Sequence, residues 1–421
     1  NGDINLILKT IKFKLDLREI SLFLEAKNSS INFKEINLPT NNIKAYINFI
    51  SLLKSENKFE KISLNFEQIS FKKIKMIATI LKPSNFSSFL NNKLVEGNLN
   101  TQVEFYFNKK NEIDNFITKG SIIDGKINFE KEINFENTNF KFFADNSDIL
   151  IKNFRSNLGP VVIKNGDAKI QVSPEISVET NFLSNIKIKN KSAEELNFLN
   201  KFLNLSYLEN LSGNFNNSFS INLDKTLNIK DYSFKNSGKI SKAKLNLQNS
   251  IETLFLNSKQ KFIAVRDTEI NTSIQPDQNS IMIKGEYSLD NENFLDFDSD
   301  NLVKKELIKI KIKADLQEYI KIDLINYVKP KKKISKVSLE LEKLKDNLEF
   351  KYINYKEGKN SIVINDLKFQ KSKFSNLKKA SIKTFSENIL NNDFTILFGK
   401  KIEIRGNKFD ARNLPKILAQ K

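Results

Sequence analysis

The chain contains no histidine and no cysteine, so Ser-His and Cys-His nucleophile arrangements and His- or Cys-ligated zinc sites cannot be built from it. No G-x-x-x-x-G-K-[ST] loop and no G-x-G-x-x-G turn is present to cradle a nucleotide phosphate. Carboxylates remain as candidate acids, bases or ligands. The run Asp296-Phe297-Asp298-Ser299-Asp300 opens like a calcium loop, but Asn301 occupies the sixth position and Leu307 the twelfth, where glycine and a bidentate Glu belong. The expectation is a polar loop between strands, no metal, no cofactor and no enzymatic chemistry. The one dense basic cluster, Lys329-Pro330-Lys331-Lys332-Lys333, reads as a solvated turn.

The elements that would carry these residues are strands. Apolar residues recur with period two at Ile11, Phe13, Leu15 and Leu17; at Ile62, Leu64 and Phe66; at Val103, Phe105 and Phe107; and at Ile308, Ile310 and Ile312. Successive strand residues point to opposite faces, so each stretch has one dry face and one face of Lys, Asn, Asp and Ser. Such alternation is typical of antiparallel sheets. Two stretches have helical spacing instead. Ser84, after Pro83, caps Phe86, Phe89, Leu90 and Leu94; Ser192 and Glu195 make a capping box before Leu196, Leu199, Phe202 and Leu203.

Composition sets wider limits. Of the 421 residues 39% are apolar and 28% charged, enough to bury a core, and no run of 18 apolar residues is present. The formal charge is +18, but the lysines are spread along every strand and accompany the Asn, Ile and Phe excess that AT-rich coding produces. A nucleic-acid partner is therefore not expected; attraction to an anionic membrane surface is. The chain opens with Asn1-Gly2, and the expectation is an internal piece of a longer protein.

The sequences after the two helical stretches match each other. Gly97-Asn98-Leu99-Asn100 becomes Gly213-Asn214-Phe215-Asn216, and Val103, Phe105 and Phe107 become Phe219, Ile221 and Leu223, 116 residues later. The stretch Gly120–Phe129 then matches Gly238–Leu247 with the offset grown to 118. Element order and apolar parity are preserved, which points to a duplicated unit. The expected organisation is a β-segment over 1–83, a first repeat over 84–191, a second over 192–330, and a further β-segment over 331–421.

These helix-then-"GNLN" strands, together with Ile404-Arg405-Gly406-Asn407-Lys408-Phe409-Asp410-Ala411-Arg412-Asn413-Leu414, resemble the AsmA-like family of Gram-negative bacteria, in particular its YhdP-type branch. Asn407 stands where that branch has Asp. The resemblance implies a mainly β fold: an elongated, curled antiparallel sheet forming an apolar groove from repeated modules, with a few short amphipathic helices. It also implies a periplasmic protein tethered to the inner membrane by an N-terminal helix, with envelope protein partners, whose groove carries phospholipid toward the outer membrane without catalysis. The expected groove lining is Leu99, Val103, Phe105, Phe107, Ile127 and Phe129, with repeat partners Phe215, Phe219, Ile221, Leu223, Leu245 and Leu247. The alternative from period-two patterning alone is a structural or adhesive envelope protein with a closed, dry core.

Overall fold

A computed structural model describes residues 4–16, 21–47, 54, 59–80, 85–130, 133–172, 175–189, 208–224, 228–253, 256–413 and 415. The described residues are mainly β, and every pairing is antiparallel to its neighbour. The chain forms two units, one of Asn1–Ile186, Glu194–Phe202 and Asn216–Tyr232, the other of Lys187–Ala193, Leu203–Phe215 and Ser233–Lys421.

In the first unit the strands pair in chain order. β1 (Ile4–Ile7) and β2 (Ile11–Asp16) lie end to end along β3 (Ser21–Phe33), followed by β4 (Ile36–Ile47) and β5 (Phe59–Ser70). Helices α1 (Phe71–Ile80) and α2 (Asn85–Lys93) interrupt before β6 (Leu94–Phe107). The meander continues through β7 (Ile113–Glu130), β8 (Ile133–Ala144), β9 (Asp148–Leu158), β10 (Val161–Gln171) and β11 (Ile176–Lys189). The alternation read at positions 11–15, 62–66 and 103–107 is strand; Leu17 lies outside the described residues. Register joins these stretches into a rung across ten strands: Ile11, Ala26, Ile43, Leu64, Val103, Thr118, Ala144, Ile149, Ile170 and Val178 face one another in turn. Cross-strand contact between such side chains is the unit of sheet stabilisation.

The strands carry left-handed residues near a common level: Gln68, Asp124, Asn137, Asn153 and Asn165 have φ between 49° and 56°, and Gly97 has 132°. They coincide with register shifts in β5 to β10. An extra residue in one strand bends it and reverses the parity that follows, and the sequence follows that reversal. In β7 the apolar face takes Phe116, Thr118 and Ile122 before Asp124 and Gly125 and Ile127 after it; in β9 it takes Ile149 and Ile151 before Asn153 and Phe154, Ser156 and Leu158 after. The backbone amides released from the ladder find side-chain acceptors one strand on: Gln68 N–H donates to Asn100 Oδ1 (2.7 Å), Asp124 N–H to Asn139 Oδ1 (3.1 Å) and Asn153 N–H to Asp167 Oδ1 (3.1 Å).

The second unit repeats the plan with different strands. The first half of β12 (Leu208–Leu223) lies alongside β13 (Ile229–Thr253), where Lys244 meets Glu209 at 2.9 Å. Pairing then runs through β14 (Leu256–Ile274), β15 (Gln278–Ser288), β16 (Leu295–Lys304) and β17 (Leu307–Leu316). An excursion follows, holding the small hairpin β18 (Ile320–Ile322) and β19 (Tyr327–Lys329) around a 3-10 turn, Asp323–Ile325. The sheet resumes with β20 (Ser335–Leu344), β21 (Asn347–Glu357) and β22 (Asn360–Gln370). β22 pairs with both β23 (Lys373–Asn376) and β24 (Lys379–Ser386), and β25 (Ile389–Phe398) and β26 (Ile402–Lys408) complete the order. One rung here spans eleven strands: Gly238, Ile270, Ile283, Ser299, Ile312, Leu339, Ile353, Ile364, Ala380, Ile396 and Ile404.

Since a β-branched side chain resists the left-handed region, Asn153→Val is expected to cost about 1–2 kcal/mol in urea unfolding, whereas Asn153→Gly costs only a few tenths. Equal costs for the two substitutions would remove the conformational explanation of the bulge.

Candidate functional site

Fully buried apolar side chains gather in only two clusters among the described residues. Elsewhere the apolar face of each unit is mostly half-buried, with single buried residues such as Ile163 and Phe215, and the candidate site is this face. Leu99, Val103, Phe105 and Phe107 share one row on β6 and are all half-buried. Leu99, Val103 and Phe105 face Ile122, Thr118 and Phe116 on β7. Ile127 lies beyond the Asp124 bulge, opposite Leu94 and Phe135. Phe219, Ile221 and Leu223, also half-buried, belong to the part of β12 in the first unit, beside β11, where Asn217 Nδ2 donates to Ser184 Oγ at 2.9 Å. In the second unit Leu245 is half-buried opposite Ile263. Phe215 is buried, its ring lying against Gly213 and Gly238. The side chains of Phe129 and Leu247 lie outside the described residues.

Reading from the sequence missed a second set of residues on this face. Phe350, Phe369, Phe374 and Phe398 form a chain of ring contacts across β21, β22, β23 and β25, with centroids 6.4, 6.4 and 5.9 Å apart. These distances and tilted or edge-on orientations favour aromatic attraction. Phe374 remains 54% exposed. The signal was present as a Phe-rich composition but not as a single period, because a left-handed Asp366 reverses parity within β22.

Each unit covers part of its apolar face with an insertion. In the first, Ile74, Ile77 and Ile80 of α1 pack on Ile31, Ile36, Leu38, Ile43, Leu64, Phe66 and Ile69. Phe71, 1% exposed, sits over Gly97. A Cβ at Gly97 would lie 2.8 Å from Gly125 Cα and 3.2 Å from the Phe71 ring, so glycine is required there for space as well as for its φ. The sequence reading did not include α1, although Phe71, Ile74, Ile77 and Ile80 recur every three residues. It did place α2, but Leu94, expected on the same helical stripe, is the first residue of β6. The capping box at Ser192 and its helix lie outside the described residues.

In the second unit the cover is the excursion over residues 317–334. Ile320, Ile325 and Tyr327 pack on Tyr355, Ile362 and Phe394. Polar groups are sealed with them. Tyr327 Oη lies 2.7 Å from Tyr355 Oη and donates to Glu357 Oε2 at 3.2 Å. Burial pushes both phenols up. Lys329 is the correction to the expected solvated turn: it is fully buried, its ammonium donating to Glu318 O at 2.6 Å, and burial pushes its pKa down. Only the turn that follows it, Lys331 to Lys333, is exposed.

The segment after β26 fastens this cover. Asp410 accepts from Asn326 Nδ2 at 2.9 Å, and its own N–H donates to Asn392 Oδ1 at 2.8 Å. Asn392 Nδ2 donates to Ile325 O at 2.8 Å, and Asn413 Nδ2 to Asp323 O at 3.2 Å. Arg412 forks onto Asp410, Nε to Oδ1 at 2.9 Å and a terminal nitrogen to Oδ2 at 2.6 Å. The Asp410-Ala411-Arg412-Asn413 stretch, conspicuous in the sequence, thus acts as a latch on the 3-10 turn.

The opposite face is ionic. On one rung Lys239, Glu269, Lys284, Asp298 and Lys313 alternate in sign. Asp296, Asp298 and Asp300 therefore lie within β16, not in a loop: Asp298 faces Lys284 and Lys313, and Asp300 faces Lys311. Opposite charges placed across strands contribute roughly 0.2–1 kcal/mol each. A concavity of about 670 Å³ in the second unit lies on this charged face, lined by Glu269, Lys284, Asp298, Lys313, Ser338 and Asn354 among others. No group of three or more acidic side chains able to hold a metal ion occurs among the described residues.

The Arg412 guanidinium holds the Asp410 carboxyl far below the usual carboxylate range. Its folded-state pKa is depressed, so the latch contributes its full stability above the ordinary Asp value of about 3.9 and loses it progressively as pH falls below that. Amide exchange at Ile325 and Tyr327, corrected for intrinsic rates, should thus be slow at neutral pH and accelerate in acid. Asp410→Ala should give the fast behaviour at neutral pH, a loss of about 2 kcal/mol of local protection. Protection indifferent to both pH and Asp410→Ala would mean that apolar packing alone holds the cover.

No protein family matches the chain, and no curated protein or solved structure is similar to it.

Proposed function

We propose that this protein transfers lipid without catalysis, holding acyl chains against the apolar face of its sheets while the ionic face meets water. The observation that carries this reading is the apolar rung in each unit, ten and eleven strands wide, whose side chains are largely half-buried beyond the two covered patches. Apolar area left accessible in this way is a driving force for a ligand of matching character, roughly 25 cal/mol for each Å² removed from water. An acyl chain fits it: it needs no directional partner and can move along successive rungs without breaking hydrogen bonds.

The resemblance to the AsmA-like family supplies the setting. On that reading the cargo is phospholipid, the compartment is the periplasm, the chain is tethered to the inner membrane, and transfer proceeds toward the outer membrane with envelope proteins as partners. No cofactor is required.

Native mass spectrometry with lipid extraction tests the proposal. The chain purified from bacterial membranes should carry phospholipid, and Phe105→Asp with Ile221→Asp should abolish that cargo while leaving the circular dichroism of a β-protein unchanged. A lipid-free chain that unfolds on these substitutions would instead identify the face as an ordinary closed core.

A further inference from the structure

We propose that the outward surface of α1 and α2 docks on an anionic phospholipid bilayer. This goes beyond the lipid-transfer reading, because the surface concerned is the side of the helices turned away from the sheet. Between Phe71 and Lys93 the sequence has five lysines, Lys72, Lys73, Lys75, Lys82 and Lys93, and no acidic residue. That density is not the rule in this chain, whose 68 cationic residues accompany 50 acidic ones.

Several strand lysines are ion-paired with carboxylates of other strands or turns. In the first unit Lys126 meets Glu136 at 3.1 Å, Lys152 meets Asp167 at 2.9 Å and Lys230 meets Glu175 at 2.7 Å. By contrast Lys72, Lys73, Lys75 and Lys93 make no ion pair among the described residues; Lys73 reaches only the Asn37 carbonyl, at 3.5 Å. Each helix also exposes a large apolar group. While Ile74, Ile77 and Ile80 of α1 face the sheet, Met76 is 46% and Phe89 36% exposed. Lys72, Met76 and Thr79 follow one another at helical spacing on the exposed side.

An acid-free helical pair with the exposed Lys72 beside the exposed Met76, and with Lys75 and Lys93 half-buried and without an ion pair among the described residues, matches the headgroup region of an anionic bilayer, where charge is attracted at the surface and apolar groups sink below it. A nucleic acid would satisfy the lysines but would leave Met76 and the edge of Phe89 in water unless a base stacked there.

Flotation of the full chain with vesicles of phosphatidylcholine alone, and of phosphatidylcholine mixed with phosphatidylglycerol, tests this. Binding should require phosphatidylglycerol and weaken with salt. Lys72→Glu with Lys75→Glu should reduce it at least 25-fold, taking roughly fivefold for each lysine removed from the surface. Lys109→Glu with Lys110→Glu, the same charge change on the exposed β6–β7 turn, should leave it nearly intact. The chain has no tryptophan, so Phe89→Trp provides a single reporter whose emission should shift to the blue on the anionic vesicles only. Equal losses in both charge variants, no shift of the reporter, or retention of an oligonucleotide in place of vesicles would overturn the proposal. Bound phospholipid measured on the same variants by mass spectrometry keeps this result separate from that of the transfer reading: the helix variants should keep their co-purified lipid.

Discussion

Strands β5 to β10 must keep their apolar side chains on one face while the backbone passes a bend, and the geometry of the left-handed residue makes that possible. A strand that gained one residue without changing its sequence parity would turn its remaining apolar side chains to water. Here the parity changes where the backbone does. Asp124, Asn137, Asn153 and Asn165 occupy a conformation that Asn and Asp tolerate better than other side chains, and the released amides of Asp124 and Asn153 are taken up by Asn139 and Asp167. The Asn-rich composition, which coding bias alone would produce, has a structural use at these positions.

With that constraint met, the apolar face is continuous within each unit, and the chain covers only part of it. The two covers are chemically unlike. α1 brings isoleucines to the sheet on an amphipathic helix, whereas residues 317–334 bring Ile320, Ile325 and Tyr327 together with a buried ammonium and a pair of phenols. The second is the more demanding arrangement, since Lys329 and Glu357 are withdrawn from water and each needs its partners. The hydrogen bonds among Asn326, Asn392, Asp410 and the Ile325 carbonyl give a physical reason for the polar motif after β26: they add directional contacts to a cover whose apolar contacts have none.

The ionic face is organised as firmly as the dry one. Alternating signs along a rung cancel most of the local charge, so a chain of formal charge +18 does not present a uniformly basic surface. The helical insertion differs, with five lysines and no acidic residue between Phe71 and Lys93. On the proposed reading these surfaces have separate uses: the apolar face for acyl chains, the polar face for water, and the basic helices for an anionic surface.

The sequence by itself determined the strand character and the apolar face of stretches such as Ile11–Leu15, Ile62–Phe66, Val103–Phe107 and Ile308–Ile312, because period two is a local property of the pleat between bulges. It placed α2, and it marked Asp410 to Asn413 as unusual without giving the reason. It could not show that Val103 shares a rung with Ile11 and Val178, since register depends on pairings between distant segments. Nor could it show that the Asp296 to Asp300 run is strand, because the lysines that stand opposite it in the ladder, Lys284 on one side and Lys311 and Lys313 on the other, come from other segments. Lys329 is the clearest case. Beside three further lysines it looks solvated, and only the folding of residues 317–334 onto Tyr355 and Phe394 buries it. What the tertiary structure alone decided is therefore which apolar residues meet, which are covered and which stay accessible, because each of these depends on distances between residues that the local pattern does not relate.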